Sequence, residues 1–312
     1  MEIKEVKCIW WDGYHNAFTD IIKFRDNYFV CFRHATEHYS FKGEGEIYVL
    51  KSTDLENWRL IKKFPPLKDD RDPKFFIFKE KLGVLFFART DIDINKKILD
   101  AYISYSDDGE SFSPVIKISS EDSLFFWRIR NYREKLYATA YKSGEKGDDW
   151  GSYLFISDDG ESFKEVSPIL KGEYANETDL LFDGDICFAV VRRENWQTPS
   201  LCISKYPFDK WEHYCLNKVI QAPCLFKFKG EFYIAGRIFK PLSATGILKL
   251  DVEEKRVEDE IILPSGGDTS YCGAVVENDK LYLSYYSQHE IEKREGKVGN
   301  NAAGIYIAEI GG

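Results

Sequence analysis

The seven letters Ser106-Asp107-Asp108-Gly109-Glu110-Ser111-Phe112 return unchanged from Ser157 to Phe163, and nothing else in the chain limits its folding as strongly. A relaxed copy, Ser52-Thr53-Asp54-Leu55-Glu56-Asn57-Trp58, keeps the serine, an aspartate and the closing aromatic, and Ser204 to Trp211 reads as an eroded fourth. Successive copies begin 54, 51 and 47 residues apart, which is the length of one four-stranded module in a propeller-like array. Each box reads as a hairpin turn. The aspartate accepts backbone N–H groups two residues on, the glycine takes φ > 0 without a Cβ penalty, and the serine adds a local hydrogen bond. The closing Phe or Trp is expected to plug the gap to the next module. A lone Asp-Gly between strands would be an ordinary hairpin signal, but two identical heptads in register with flanking apolar runs make coincidence a poor account.

Between the boxes, apolar runs of strand length rich in Val, Ile, Phe and Tyr alternate with short charged turns, and no helical periodicity persists for three turns. The chain is therefore expected to be all-β. Six modules begin near Ala17, Lys74, Leu124, Asp179, Cys224 and Tyr271. The last has only three strands of its own, ending with Gly304 to Ile310, so the segment Glu2 to Trp10 is expected to supply its fourth and leave no open edge. The expectation is a single domain over residues 1–312, a six-bladed β-propeller of four-stranded antiparallel blades closed by the N-terminal strand. Two polar stretches, Lys142 to Asp149 and Glu290 to Asn300, fall where second strands cross to third strands and read as exposed loops.

Bulk properties exclude several partners. With 43 basic against 52 acidic residues the formal net charge is −9, which argues against nucleic acid. No run approaches the ~20 apolar residues of a membrane span, and Met1 to Lys7 lacks a signal-peptide core. The seven cysteines form no Cys-x-x-Cys pair and most lie in apolar strands, as expected for reduced thiols in a cytoplasmic protein. The five histidines show no metal-ligand spacing, Gly43-Glu44-Gly45 lacks the rest of a phosphate-loop fingerprint, and no G-x-S-x-G elbow occurs. No cofactor or metal is expected.

In a propeller, the loops entering first strands and leaving second strands open on one face around the axis. Here those loops carry His15-Asn16, Arg33 with Glu37, Arg71-Asp72, Arg89, Trp127-Arg128, Tyr141, Glu177, Arg192, Arg237, and Asp268 with Tyr271. Convergent polar groups at such a mouth mark the default binding site. Several arginines about one axis suit an anionic or polyhydroxylated small molecule or oligosaccharide, and paired carboxylates such as Asp72 and Glu177 suit acid–base or nucleophilic work on a glycosidic bond. The competing reading is that these charges are structural ion pairs tying blades together.

Boxes and rim together resemble the sialidase-like, Asp-box propellers, across essentially the whole chain. The likeness is carried by His15-Asn16-Ala17-Phe18-Thr19-Asp20, Arg71-Asp72-Pro73-Lys74 and Ser265-Gly266-Gly267-Asp268-Thr269-Ser270-Tyr271. In that family an arginine triad grips the substrate carboxylate, a tyrosine activated by a glutamate attacks the anomeric carbon, and an aspartate is the acid/base. The resemblance implies Tyr271 as nucleophile, Glu177 as its base, Asp72 as acid/base, and Arg33, Arg71, Arg192 and Arg237 as clamp. Two departures stand out. The boxes are one residue shorter than S-x-D-x-G-x-T-W, and His15-Asn16 occupy the place of the first triad arginine. Arg33 and Arg71 remain as candidates for that grip, and Glu37 beside Asp72 as candidate for the acid. Arg71-Asp72-Pro73 and Glu177-Thr178-Asp179 also look like the acidic motifs of five-bladed fructan and arabinan hydrolases, but the spacing gives six modules and the early nucleophile motif of those enzymes is absent unless Asp12 or Asp20 fills the role. A glycan-binding propeller without catalysis is the third alternative.

Overall fold

The computed structural model describes residues 1–39, 45–91, 97–118 and 124–312; Gly43-Glu44 of the glycine-rich stretch noted above lies outside them. Six separate four-stranded antiparallel sheets account for all 24 strands among the described residues. The innermost strands are β2 (His15–Phe24), β6 (Asp69–Phe78), β10 (Phe125–Tyr132), β14 (Ala175–Asp183), β18 (Gln221–Phe228) and β22 (Thr269–Glu277). Each contacts the next, and β22 contacts β2, so the ring closes. In blade six, β22 is followed by β23 (Lys280–Ser287), β24 (Gly304–Gly311) and β1 (Glu2–Trp10), and β1 pairs antiparallel with β24 from Glu2↔Gly311 to Trp10↔Ile305. The chain ends therefore meet in one sheet and the ring is held by backbone hydrogen bonds. The only helical turns among the described residues are two single 3₁₀ turns, Gly147–Asp149 and Ile291–Lys293, each in a crossing from second to third strand.

The boxes are turns of the expected kind. Asp108 Oδ1 accepts from the N–H groups of Glu110 and Ser111 at 2.7 and 2.8 Å, and Ser106 Oγ accepts from Gly109 N at 2.8 Å. Asp159 and Ser157 repeat the pattern, and Asp54 with Ser52 does so without a glycine. The direction of the aromatic plug differs from expectation. Phe112 packs against Phe64 of blade one, Phe163 joins a cluster with Phe76 and Phe78 of blade two, and Trp211 donates to Ser167 Oγ of blade three. Each box thus seals the seam to the preceding blade. The reason is close backbone approach: a Cβ on Gly109 would lie 2.6 Å from Phe29 Cζ, and one on Gly160 would lie 2.6 Å from the Tyr105 hydroxyl. The turn sits directly on the neighbour's ring.

Every innermost strand carries a β-bulge near its start, between Ala17/Asp20, Arg71/Lys74, Phe126/Arg128, Ala175/Thr178, Gln221/Cys224 and Ser270/Gly273. At four of them a non-glycine residue takes a left-handed φ: Phe18 at 60°, Asp72 at 49°, Ala222 at 51° and Tyr271 at 52°. Bulges break strand alternation and re-aim side chains, and such backbone strain gathers at functional sites. One step deeper the axis is filled with buried charge. Arg128 meets Asp20 at 3.1 Å and Asp179 at 3.4 Å, and also donates to Cys272 O. Asp20 accepts from Phe75 N, and Asp179 accepts from Leu225 N. All six blades contribute to this network.

Candidate active site

Antiparallel succession puts the starts of first strands and the ends of second strands on one face, and the boxes on the other. A cavity of about 240 Å³ opens on the first face, with walls supplied by all six blades. Asp72, Glu177 and Tyr271 project from the bulged starts of β6, β14 and β22; Arg192 and Arg237 come from the ends of the second strands β15 (Ile186–Arg193) and β19 (Glu231–Phe239).

The Tyr271 hydroxyl donates to Glu177 Oε1 at 2.8 Å. Glu177 Oε2 takes the Arg192 guanidinium at 2.7 Å and the Ala222 backbone N–H at 3.0 Å, so the carboxylate is fixed from three sides. Burial and then the Glu177 charge hold the Tyr271 phenol well above the ordinary tyrosine value; it is neutral until a base takes its proton. Burial pushes Asp72 up to about 6, against the pull of Arg71 and Lys74 and with help from the Glu177 charge. Asp72 Oδ1 is buried without a hydrogen-bond partner among the described residues, as are Trp127 Nε1, Asn176 Oδ1 and Arg192 Nε in the same wall. Buried polar atoms without partners call for a ligand or water.

The remaining candidates are distributed differently. Arg33 is fully buried, with Nε and Nη2 on Asp69 Oδ1 at 2.8 and 2.6 Å and Nη1 on the Glu37 carbonyl. It stands behind the wall, and the side chain of Glu37 is exposed outside the lining. Arg71 does line the cavity, sandwiched between the Phe18 and Tyr39 rings at 4.8 and 5.0 Å and hydrogen-bonded to Asp69 Oδ2 at 3.2 Å. Asp268 also lies behind the lining. Its Oδ1 accepts from Arg237 at 2.8 Å and Tyr286 at 2.6 Å, and its Oδ2 faces His15 Nε2 at 3.0 Å and His38 Nδ1. These bonds hold Asp268 below the carboxylate range against its burial, while burial drops His15 to about 4 despite Asp268. His15, His38 and Asp268 are the one group of three among the described residues whose potential metal-ligand atoms lie within 4.8 Å of one another. Residue spacing gave no sign of it, because His15 begins β2 of blade one, His38 follows that blade's second strand, and Asp268 precedes β22 of blade six.

Sequence reading placed Tyr141 on the rim but missed the rest of an aromatic wall. Phe125 and Tyr141 stack at 4.5 Å and 5°, Phe87 meets Phe125 edge-on at 5.0 Å, and Trp150 borders them. Phe87 and Phe125 each lie two residues before a residue that was singled out, Arg89 and Trp127, and strand alternation would have put them on the same face. Trp150 directly follows a stretch read only as an exposed loop.

No family model matches the sequence, and no curated protein does. Solved structures do match. A Hadza microbial sialidase aligns with TM-score 0.72 and 13% identity over 96% of this chain and 66% of its own. Trypanosoma rangeli sialidase in complex with sialic acid aligns with TM-score 0.67 and 12% identity over 95% of this chain and 54% of its own. The fold is that of the six-bladed sialidase propellers. The chain spans between half and two thirds of the length of these two sialidases. A β-fructofuranosidase from Bombyx mori also aligns, with TM-score 0.58 and 15% identity over 98% of this chain and 63% of its own. No helix among the described residues is long and apolar enough to cross a membrane, and all seven cysteines are free thiols.

Proposed function

We propose that the protein is a glycoside hydrolase of sialidase type, acting on an oxygen-rich sugar through a tyrosine nucleophile. The observation that carries this reading is the 2.8 Å hydrogen bond from the Tyr271 hydroxyl to Glu177, two side chains 94 positions apart in sequence. A neutral phenol is a poor nucleophile until a positioned base removes its proton. In this mechanism the Tyr271 oxygen bonds to the anomeric carbon as its proton passes to Glu177, and the exocyclic C–O bond breaks as protonated Asp72 gives its proton to the leaving oxygen. Asp72 then takes a proton from water, the water oxygen replaces the tyrosine oxygen on the sugar, and Glu177 returns its proton to Tyr271. Both carboxylates end as they began. A carboxyl raised to about 6 is protonated in part near neutrality, as a general acid must be.

A second reading uses Asp72 and Glu177 as the reacting carboxylate pair with Tyr271 only as support, as in furanosidase-like hydrolases; it is favoured by both carboxyls lining one cavity. A screen of aryl glycosides against wild type, Glu177→Gln and Asp72→Asn tests the proposal. Turnover by wild type that collapses in both variants supports hydrolysis. Sugar binding with no turnover in any of the three identifies a glycan-binding propeller instead.

A further inference from the structure

Each arginine of the cavity wall already has a carboxylate. Arg192 holds Glu177 at 2.7 Å and Glu194 at 2.9 Å, Arg237 holds Asp268 at 2.8 Å, Arg89 holds Asp91 at 2.8 Å, and Arg71 meets Asp69 at 3.2 Å and Asp72 at 4.0 Å. Counting Arg33, which also sits on Asp69, five guanidinium groups therefore face six carboxyl groups, and where the resemblance places a first clamp arginine the chain has His15, itself buried against Asp268 at 3.0 Å. A ligand carboxylate entering this cavity would compete with fixed acids for every cation and would lie beside Asp72, Glu177 and Glu194. Burying a charge without a free counter-charge costs several kcal/mol. Hydroxyl groups meet no such penalty, since they donate to carboxylates and accept from guanidinium and indole N–H groups. Phe125 stacked on Tyr141, edge-on Phe87 and Trp150 also line the cavity, and the C–H face of a sugar ring packs on aromatic side chains of this kind.

Resting on the glycosidase reading of the same cavity, we propose that its ligand is an uncharged sugar ring, stacked on the Phe125–Tyr141 wall, and that the acids Glu194 and Asp268 make the site select against carboxylated sugars by neutralising Arg192 and Arg237. Glu194 and Asp268 are specificity-determining residues in this account.

The test is calorimetric binding of matched pairs differing in one carboxylate: 4-nitrophenyl glucoside against glucuronide, 4-nitrophenyl galactoside against galacturonide, and the methyl ester of methyl N-acetylneuraminoside against its free acid. The uncharged member of at least one pair is expected to bind wild type about tenfold or more tighter, a difference of ~1.4 kcal/mol. Glu194→Gln and Asp268→Asn should each narrow that ratio by improving affinity for the carboxylated member, a gain that damaged folding would not produce. Equal or tighter binding of the carboxylated member by wild type overturns the inference, and its cleavage would leave the hydrolase proposal standing. Tighter binding of the uncharged member without cleavage upholds the inference and removes the hydrolase proposal. Failure of every pair to bind rejects both.

Discussion

The Tyr271 hydroxyl, on the first strand of blade six, hydrogen-bonds Glu177, on the first strand of blade four, across 2.8 Å. That contact exists because two bulged strands on different sides of the ring turn their side chains toward the same axis. Glu177→Gln keeps the shape and removes the carboxylate proposed as base. The expected result is a fall in kcat of about 10²–10⁴-fold with sugar binding retained, measured by steady-state kinetics alongside calorimetry; Tyr271→Phe should be at least as damaging.

Protonation of Asp72 should set the alkaline limb of activity. Its carboxyl is held at about 6, so kcat/KM should decline as pH rises through that value, and Asp72→Asn should abolish the limb together with the activity. The same shift acts on stability. Asp70 and Asp72 are raised by burial to about 7 and about 6, above the ~3.9 of an unfolded aspartate. The stabilisation from their protonated forms is complete below that unfolded value and lost as pH climbs through 6 and 7. Tm should therefore be lower at pH 8 than at pH 5.5, by differential scanning calorimetry.

Two glycine substitutions separate steric from conformational cost. Gly109 and Gly184 both have positive φ, at 74° and 57°, but a Cβ on Gly109 would strike Phe29 whereas one on Gly184 meets nothing within 4 Å. Gly184→Ala should cost about 1 kcal/mol. Gly109→Ala adds overpacking of roughly 1–3 kcal/mol, so urea denaturation should rank it clearly the more damaging.

The fold was legible because its determinants are local and repeated. Box turns and strand-length apolar runs mark the modules, and a three-stranded last module demands the N-terminal strand. The plug direction was not legible, since a box such as Ser106 to Phe112 does not say on which side its neighbour lies. The same limit applies to the site. Asp72, Glu177, Arg192, Arg237 and Tyr271 fall at equivalent rim positions and could be picked out by topology. The burial of Arg33 on Asp69 and the withdrawal of Asp268 behind Arg237 depend on bulges and tertiary packing that no spacing rule encodes, whereas Phe87 and Phe125 were within reach of strand alternation.

The axial network should be essential to the ring. Asp179 is fully buried and takes Arg128, Arg130 and two backbone N–H groups. Asp179→Asn takes one of two carboxylates from buried Arg128, which keeps Asp20, and the counter-charge from part-exposed Arg130, with an expected loss of about 3 kcal/mol in chemical denaturation.

The most direct test is to trap the sugar on the protein. Incubation with activated 2-fluoro glycosides that slow the second step, followed by peptide mass spectrometry, should find the adduct on the peptide containing Tyr271, absent in Tyr271→Phe. An adduct on Asp72 or Glu177, or turnover with no adduct and inverted product, would contradict the account.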